Sequence, residues 1–226
     1  MFMKIKNYIP NTITCLNLIS GCIAVWFAFN GDFKYALWAI LVAAVFDFCD
    51  GLAARLLHAY SAVGKELDSL ADVVSFGFAP GALVFSILEQ GGYEWLRFGG
   101  FIIPAFSALR LAKFNLDERQ TSSFLGLPVP ANAIFWAGLA YAYSSFFAVQ
   151  PVFLLVLTVI FSLLLVSELP MFSLKVKGLA WKDNKIQYLF LIGCAGLLII
   201  FGLEGIMWLI VWYIAFSIIL KYFIKK

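Results

Sequence analysis

Charge is what this chain has least of. Asp, Glu, Lys and Arg make up 13% of its 226 residues and hydrophobic residues 63%, against about 25% and roughly 45–50% in an ordinary soluble domain. No water-soluble core can absorb that excess, so the composition excludes a soluble globular enzyme and places most of the chain in a bilayer. Histidine is nearly missing. The one present, His58, has no partner pattern beside it and is expected on a solvated loop. The four cysteines, Cys15, Cys22, Cys49 and Cys194, show no CxxC or Cys/His spacing, which argues against a disulfide framework or a zinc site; they are read as buried small hydrophobes. The net charge of +3 calls for no nucleic-acid partner.

Long apolar runs and aromatics (24 Phe, 9 Tyr and 7 Trp) are abundant instead. A span needs about 20 mostly apolar residues, and eight stretches qualify: 11–29, 35–56, 67–88, 97–115, 130–149, 151–169, 186–203 and 205–223. The first resembles an export signal, but after Cys22 the sequence continues as apolar IAVWFAF, so it reads as a retained span. Residues 1–10 form an expected interfacial segment, and the run 75–81, with Gly77, Pro80 and Gly81, is expected to kink the third span. Pro128 and Pro130 read as a turn leading into the fifth. With the N-terminus inside, fourteen of the sixteen basic residues fall on the cytoplasmic side and only Lys34 and Arg97 outside, as the positive-inside bias requires. The expectation is an all-α polytopic protein of the cell (inner) membrane with both termini cytoplasmic.

Acids inside spans are costly and mark functional sites by default. Asp47 and Asp50 stand at i and i+3 near the cytoplasmic end of the second span, Asp68 and Asp72 at i and i+4 at the start of the third. Each pair shares a helix face, and a short turn joins the helices, so the two faces can converge. Four carboxylates brought together cannot all stay ionised without cations, and hard oxygen ligands select Mg²⁺, Mn²⁺ or Ca²⁺. Gly51, Ala53, Ala54 and Gly64 leave room for close backbone approach. Arg55 offers a fixed charge suited to phosphate. Together these features point to a nucleotide diphosphate site at the cytoplasmic face.

Residues 47–72 read D-x-x-D-G-x-x-A-R-x₈-G-x-x-x-D-x-x-x-D, which resembles the signature of the CDP-alcohol phosphotransferase family. The resemblance implies that Asp47, Asp50, Asp68 and Asp72 hold one or two divalent metals, Mg²⁺ or Mn²⁺, over the diphosphate of a CDP-linked lipid. It also implies that Asp50, Gly51, Ala54, Arg55 and Gly64 bind the CDP moiety. KELDSLADVVSFGFAPG at 65–81, ALRLAKFN at 108–115, FLGLPVPANA at 124–133 and MFSLK at 171–175 resemble segments of the prokaryotic phosphatidylserine synthases within that family. This narrower resemblance implies transfer of a phosphatidyl group from CDP-diacylglycerol to L-serine with release of CMP, and a homodimer as the assembly. Residues 11–169 are then the six-span catalytic core, 170–185 a cytoplasmic basic loop, and 186–226 two further spans.

Within that reading Asp72 takes the proton of the attacking hydroxyl, and Arg110, Lys113 and Asn115 are candidates for binding serine. The plain alternative for Arg110 and Lys113 is anchoring of a helix end. Another acceptor, such as glycerol 3-phosphate, inositol phosphate or inositol, is the alternative chemistry; phosphate-bearing acceptors call for a further basic cluster. From another class, a cation transporter could use the same acids, but its site is expected near the midplane.

Overall fold

The computed structural model describes residues 8–116, 124–172, 181 and 184–221. All eight expected spans are helical within them. α1 (Tyr8–Phe29) turns its small and polar residues Thr14, Asn17, Ser20, Gly21, Ala24 and Ala28 inward, while Ile19, Ile23 and Trp26 face outward. Large apolar side chains outside and small ones at helix contacts suit a protein whose surroundings are lipid. α1 begins at Tyr8, so the last three residues of the expected interfacial segment are its first turn; residues 1–7 lie outside the described residues. α1 packs along α2 (Phe33–Leu56) and also against α3 (Ala62–Asp72).

α3 starts five residues before the expected boundary because Ser61 caps it, its hydroxyl accepting the Gly64 N–H at 2.9 Å, which satisfies one of the first-turn donors. The chain then passes through a π-helical turn at Val73–Phe78 into α4 (Ala79–Gln90), giving one 29-residue helical stretch, Ala62–Gln90. The distortion expected around 75–81 is therefore a π turn, in which the Ala79 N–H reaches back to the Val74 carbonyl. Pro80 sits in the first turn of α4, where its missing N–H costs little. A 3₁₀ turn at Leu96–Phe101 leads into α5 (Ile102–Leu116).

α6 (Val129–Ala148) opens on Pro128 as its N-cap, as expected for a turn, and is followed by α7 (Pro151–Val166). Two-residue strands β1 (Phe124–Leu125) and β2 (Pro170–Met171) pair antiparallel and tie the segments flanking α6 and α7. α8 (Lys185–Phe201) and α9 (Gly205–Ile219) form a hairpin that turns at Gly202, whose φ of 58° falls where glycine carries no Cβ penalty. The Trp212 indole closes the hairpin by donating to the Phe190 carbonyl at 3.3 Å. α9 also lies against α6, where a Cβ on Gly138 would stand 2.7 Å from the Met207 nitrogen.

The shared core runs through α2, α4 and α6, with Leu37, Ile40, Leu83, Ile87, Trp136 and Leu139 fully buried. The cysteines depart from expectation. Cys15 and Cys22 lie on the outward face of α1, and Cys49 and Cys194 are half-buried; in an apolar solvent a small thiol needs no protein cover. His58 is exposed in the α2–α3 turn, with φ 49°.

Candidate active site

The end of α2, the start of α3 and the start of α1 surround a cavity of about 510 Å³. Asp50, Gly51 and Ala54 form one wall, Ser61, Gly64, Lys65 and Asp68 the opposite one, and Pro10, Asn11 and Thr14 of α1 close the third side. Glycine at mid-helix costs about 1 kcal/mol relative to alanine. At position 51 it keeps the cavity open, since a Cβ there would meet nothing in the protein nearer than Arg55 Nη2 at 3.8 Å. Gly64 is tighter: a Cβ would stand 3.0 Å from both Asn11 Oδ1 and Ser61 Oγ. Arg55 does not line the cavity. It is exposed and bent back along α2, its Nε donating to the Gly51 carbonyl at 2.9 Å, which leaves its terminal nitrogens at the cavity's edge.

At the inner end of the cavity the acids meet. One carboxylate oxygen from each of Asp47, Asp50 and Asp68 lies within 4.8 Å of the others. Opposite ligands of an octahedral Mg²⁺ are separated by about 4.2 Å, so small side-chain rotations would close this trio on a single ion. Asp50 is only 6% exposed. Its Oδ2 and the Oδ1 of Asp68 are buried without a hydrogen-bond partner. Buried, unpartnered carboxylate oxygens are expensive in a protein, and a divalent cation is a partner that fits them. The donor set and its spacing thus suit Mg²⁺ or Mn²⁺.

Asp72 stands apart from the trio although within Coulombic reach of all three. It is 7% exposed and does not line the cavity. Its Oδ1 accepts from the Asn17 side-chain amide at 3.2 Å. Asn17 also binds the π turn, its backbone carbonyl accepting the Ser75 hydroxyl at 3.0 Å. A Cβ on Gly21 would fall 2.6 Å from the Ser75 Cα, so α1 fits this turn without space for a larger residue.

Every residue of this constellation falls within residues 7–164, which match the family profile described as CDP-alcohol phosphatidyltransferase. The chain belongs to that family. Among curated proteins it is similar to the CDP-diacylglycerol–serine O-phosphatidyltransferase of Bacillus subtilis (strain 168), 36% identical over 167 residues, which are 72% of this chain and 89% of that one. The enzyme of the same name from Helicobacter pylori (strain J99) is 35% identical over 130 residues, 55% of this chain and 54% of its own. That from Mycobacterium leprae is 34% identical over 174 residues, 72% and 57% respectively. This chain thus spans most of the Bacillus relative and little more than half of the other two.

In this CDP-alcohol phosphatidyltransferase the convergence of α2 and α3 depends on α1. The two aspartate-bearing helices each lean on α1 more than on one another. Asn11, Thr14 and Asn17 were not singled out from the sequence, yet with Ser20 they recur every third residue along a mostly apolar span. Polar side chains on one face of such a span were the signal that could have found them. The three candidates for the acceptor side separate. Arg110 is 5% exposed, with its guanidinium 5.3 Å from the Phe114 ring centre and its Nε unpartnered, so it is no surface anchor. Lys113 is exposed. Asn115 fastens α5 to α3: its side-chain amide donates to Ser69 Oγ at 2.8 Å and its backbone carbonyl accepts from Lys65 Nζ at 3.1 Å.

Proposed function

We propose that this enzyme transfers the phosphatidyl group of CDP-diacylglycerol to the hydroxyl of L-serine, giving phosphatidylserine and CMP, at the cytoplasmic face of the membrane. The observation that carries the reading is the junction of a glycine-walled cavity with three converging carboxylates, in a chain related to serine O-phosphatidyltransferases.

Gly51, Ala54 and Gly64 offer a flat wall to the cytidine, and the Arg55 guanidinium at the edge suits a phosphate oxygen. Asp47, Asp50 and Asp68 would hold Mg²⁺ or Mn²⁺, which when bound supplies the positive charge that offsets the diphosphate and the departing CMP. The serine oxygen forms a bond to the phosphorus carrying the diacylglycerol as the bond from that phosphorus to the CMP oxygen breaks. Asp72 takes the proton of the serine hydroxyl, its second oxygen left to do so by the Asn17 amide that binds the first. Arg110, buried and on the helix next along the chain, binds the serine carboxylate through its fork of donors.

The acceptor is tested by offering purified protein, CDP-diacylglycerol and Mg²⁺ or Mn²⁺ each alcohol in turn while measuring CMP release. L-Serine should give CMP and phosphatidylserine in equal amounts. Comparable turnover with glycerol 3-phosphate or inositol would remove serine from the reading. Cation transport, the reading from another class, has no support in the family that the chain belongs to.

A further inference from the structure

Arg55 and Lys65 stand on the two helices that wall the cavity, but they are placed differently. Arg55 is bent back to the Gly51 carbonyl and stays outside the lining. Lys65 belongs to the lining itself, between Gly64 and Asp68. Three residues separate it from Asp68, so the two share a face of α3 and lie about 4.5 Å apart along its axis. The carboxylate trio closes the inner end of the cavity. Lys65 is therefore one turn nearer the mouth, on the side of the small-residue wall.

The Lys65 side chain is exposed, and a lysine stem in that setting is free to sample many rotamers. Here it is tied down: Nζ donates to the Asn115 backbone carbonyl at 3.1 Å, near the end of α5. That bond takes one of the three ammonium donors and, being to a neutral carbonyl, leaves the positive charge uncancelled. Among the described residues no carboxylate forms an ion pair with Lys65. A cation fixed in a cavity wall, unpaired and one turn from a metal-suited carboxylate trio, is placed to receive an anion that reaches from one to the other.

We propose that Lys65 binds the phosphate that leaves with the cytidine, from the wall opposite Arg55. It rests on the reading of the cavity as the CDP site. A diphosphate running from the trio toward Gly64 brings its cytidine-side phosphate to Lys65. As the bond from the lipid phosphorus to the CMP oxygen breaks, the electron pair stays on that oxygen. The departing phosphate then goes from about −1 to about −1.5 to −2 at pH 7, so a positive charge already fixed beside it favours the departing group over the bound substrate.

Lys65→Met keeps most of the stem and removes the charge. Equilibrium binding to the purified protein is measured with Mg²⁺ or Mn²⁺ present, using CMP and, as a probe with the same base and sugar but no phosphate, cytidine. The Kd for CMP should rise about five- to thirtyfold, the range for losing one hydrogen bond to a charged group at a partly hydrated site. The Kd for cytidine should stay within about twofold of wild type. Lys65→Arg restores a cation and should bring CMP back to within about threefold of wild type. Ser69→Ala cuts the other link between α3 and α5, keeps the charge, and should leave CMP binding near wild type. If wild-type protein binds CMP and Lys65→Met binds it equally well, this inference is overturned while the proposed function stands. Equal weakening of CMP and cytidine in Lys65→Met, or a Ser69→Ala variant that reproduces the loss, would assign the effect to helix docking rather than to charge and would overturn it too. Failure of CMP to compete with CDP-diacylglycerol for the wild-type protein would remove the reading of the cavity, and this inference with it.

Discussion

Gly51→Ala isolates the proposed nucleotide wall from everything else in the molecule. The added methyl meets no protein atom closer than Arg55 Nη2 at 3.8 Å, so the folded protein has no clash to relieve. Replacing a helical glycine should stabilise α2 by about 1 kcal/mol. Every cost of the substitution therefore falls on the ligand. If the CDP moiety packs against this wall, a methyl intruding on a filled contact costs about 1–3 kcal/mol, or roughly 5- to 150-fold in affinity. The assay is calorimetric titration of CDP-diacylglycerol into detergent-solubilised protein, beside a thermal melt of the same preparation. The expected pair of results is weaker binding with an unchanged or raised Tm. Binding within twofold of wild type would mean that the nucleotide does not lie on Gly51, and the cavity would lose its assignment.

The remaining expectations are more direct. Asp50→Asn and Asp68→Asn each remove a carboxylate from the trio and should lower Mn²⁺ affinity by at least about tenfold in a direct metal titration; unchanged affinity would place the metal elsewhere. Asp72→Asn should cut single-turnover transfer by about 10²–10⁴, with metal-dependent CDP-diacylglycerol binding kept within about tenfold. Joint loss of binding and rate would instead return Asp72 to the metal-binding group. For sidedness, a cysteine at Tyr60 in the α2–α3 turn should react with an impermeant thiol reagent only from the cytoplasm and one at Glu94 only from outside, and the reverse pattern would put the cavity on the wrong face.

The helices were legible because lipid imposes a simple rule, that each spanning segment must satisfy its own backbone. Apolar length alone therefore located α1, α2 and α5 to α9 within a few residues. The start of α3 was less visible because its first turns are amphipathic and belong to the interface, where Ser61 rather than hydropathy decides. The acids were legible through spacing, and Gly51, Ala54 and Gly64 through their small size beside them. The part played by α1 was hidden, since Asn11, Thr14 and Asn17 gain meaning only when the helix lies against both aspartate pairs. Arg110 was ambiguous for a related reason: a basic residue near a helix end reads the same whether it reaches for headgroups or, as here, is enclosed. The cysteines misled because burial was reasoned as if water were outside.

The π turn at Val73–Phe78 has a consequence for how this span can vary. An α-helix advances about 100° per residue, so its two ends keep a fixed angular relation. One wide turn between Asp72 and Ala79 breaks that relation, and the face carrying the acids is set independently of the face that Leu83 and Ile87 bury in the core. Removing one residue there to regularise the helix would swing the aspartates through roughly a quarter of a circle away from Asn17. The span behaves as two keys cut on one shaft, with the offset between them held by the lock that Asn17 and Ser75 form.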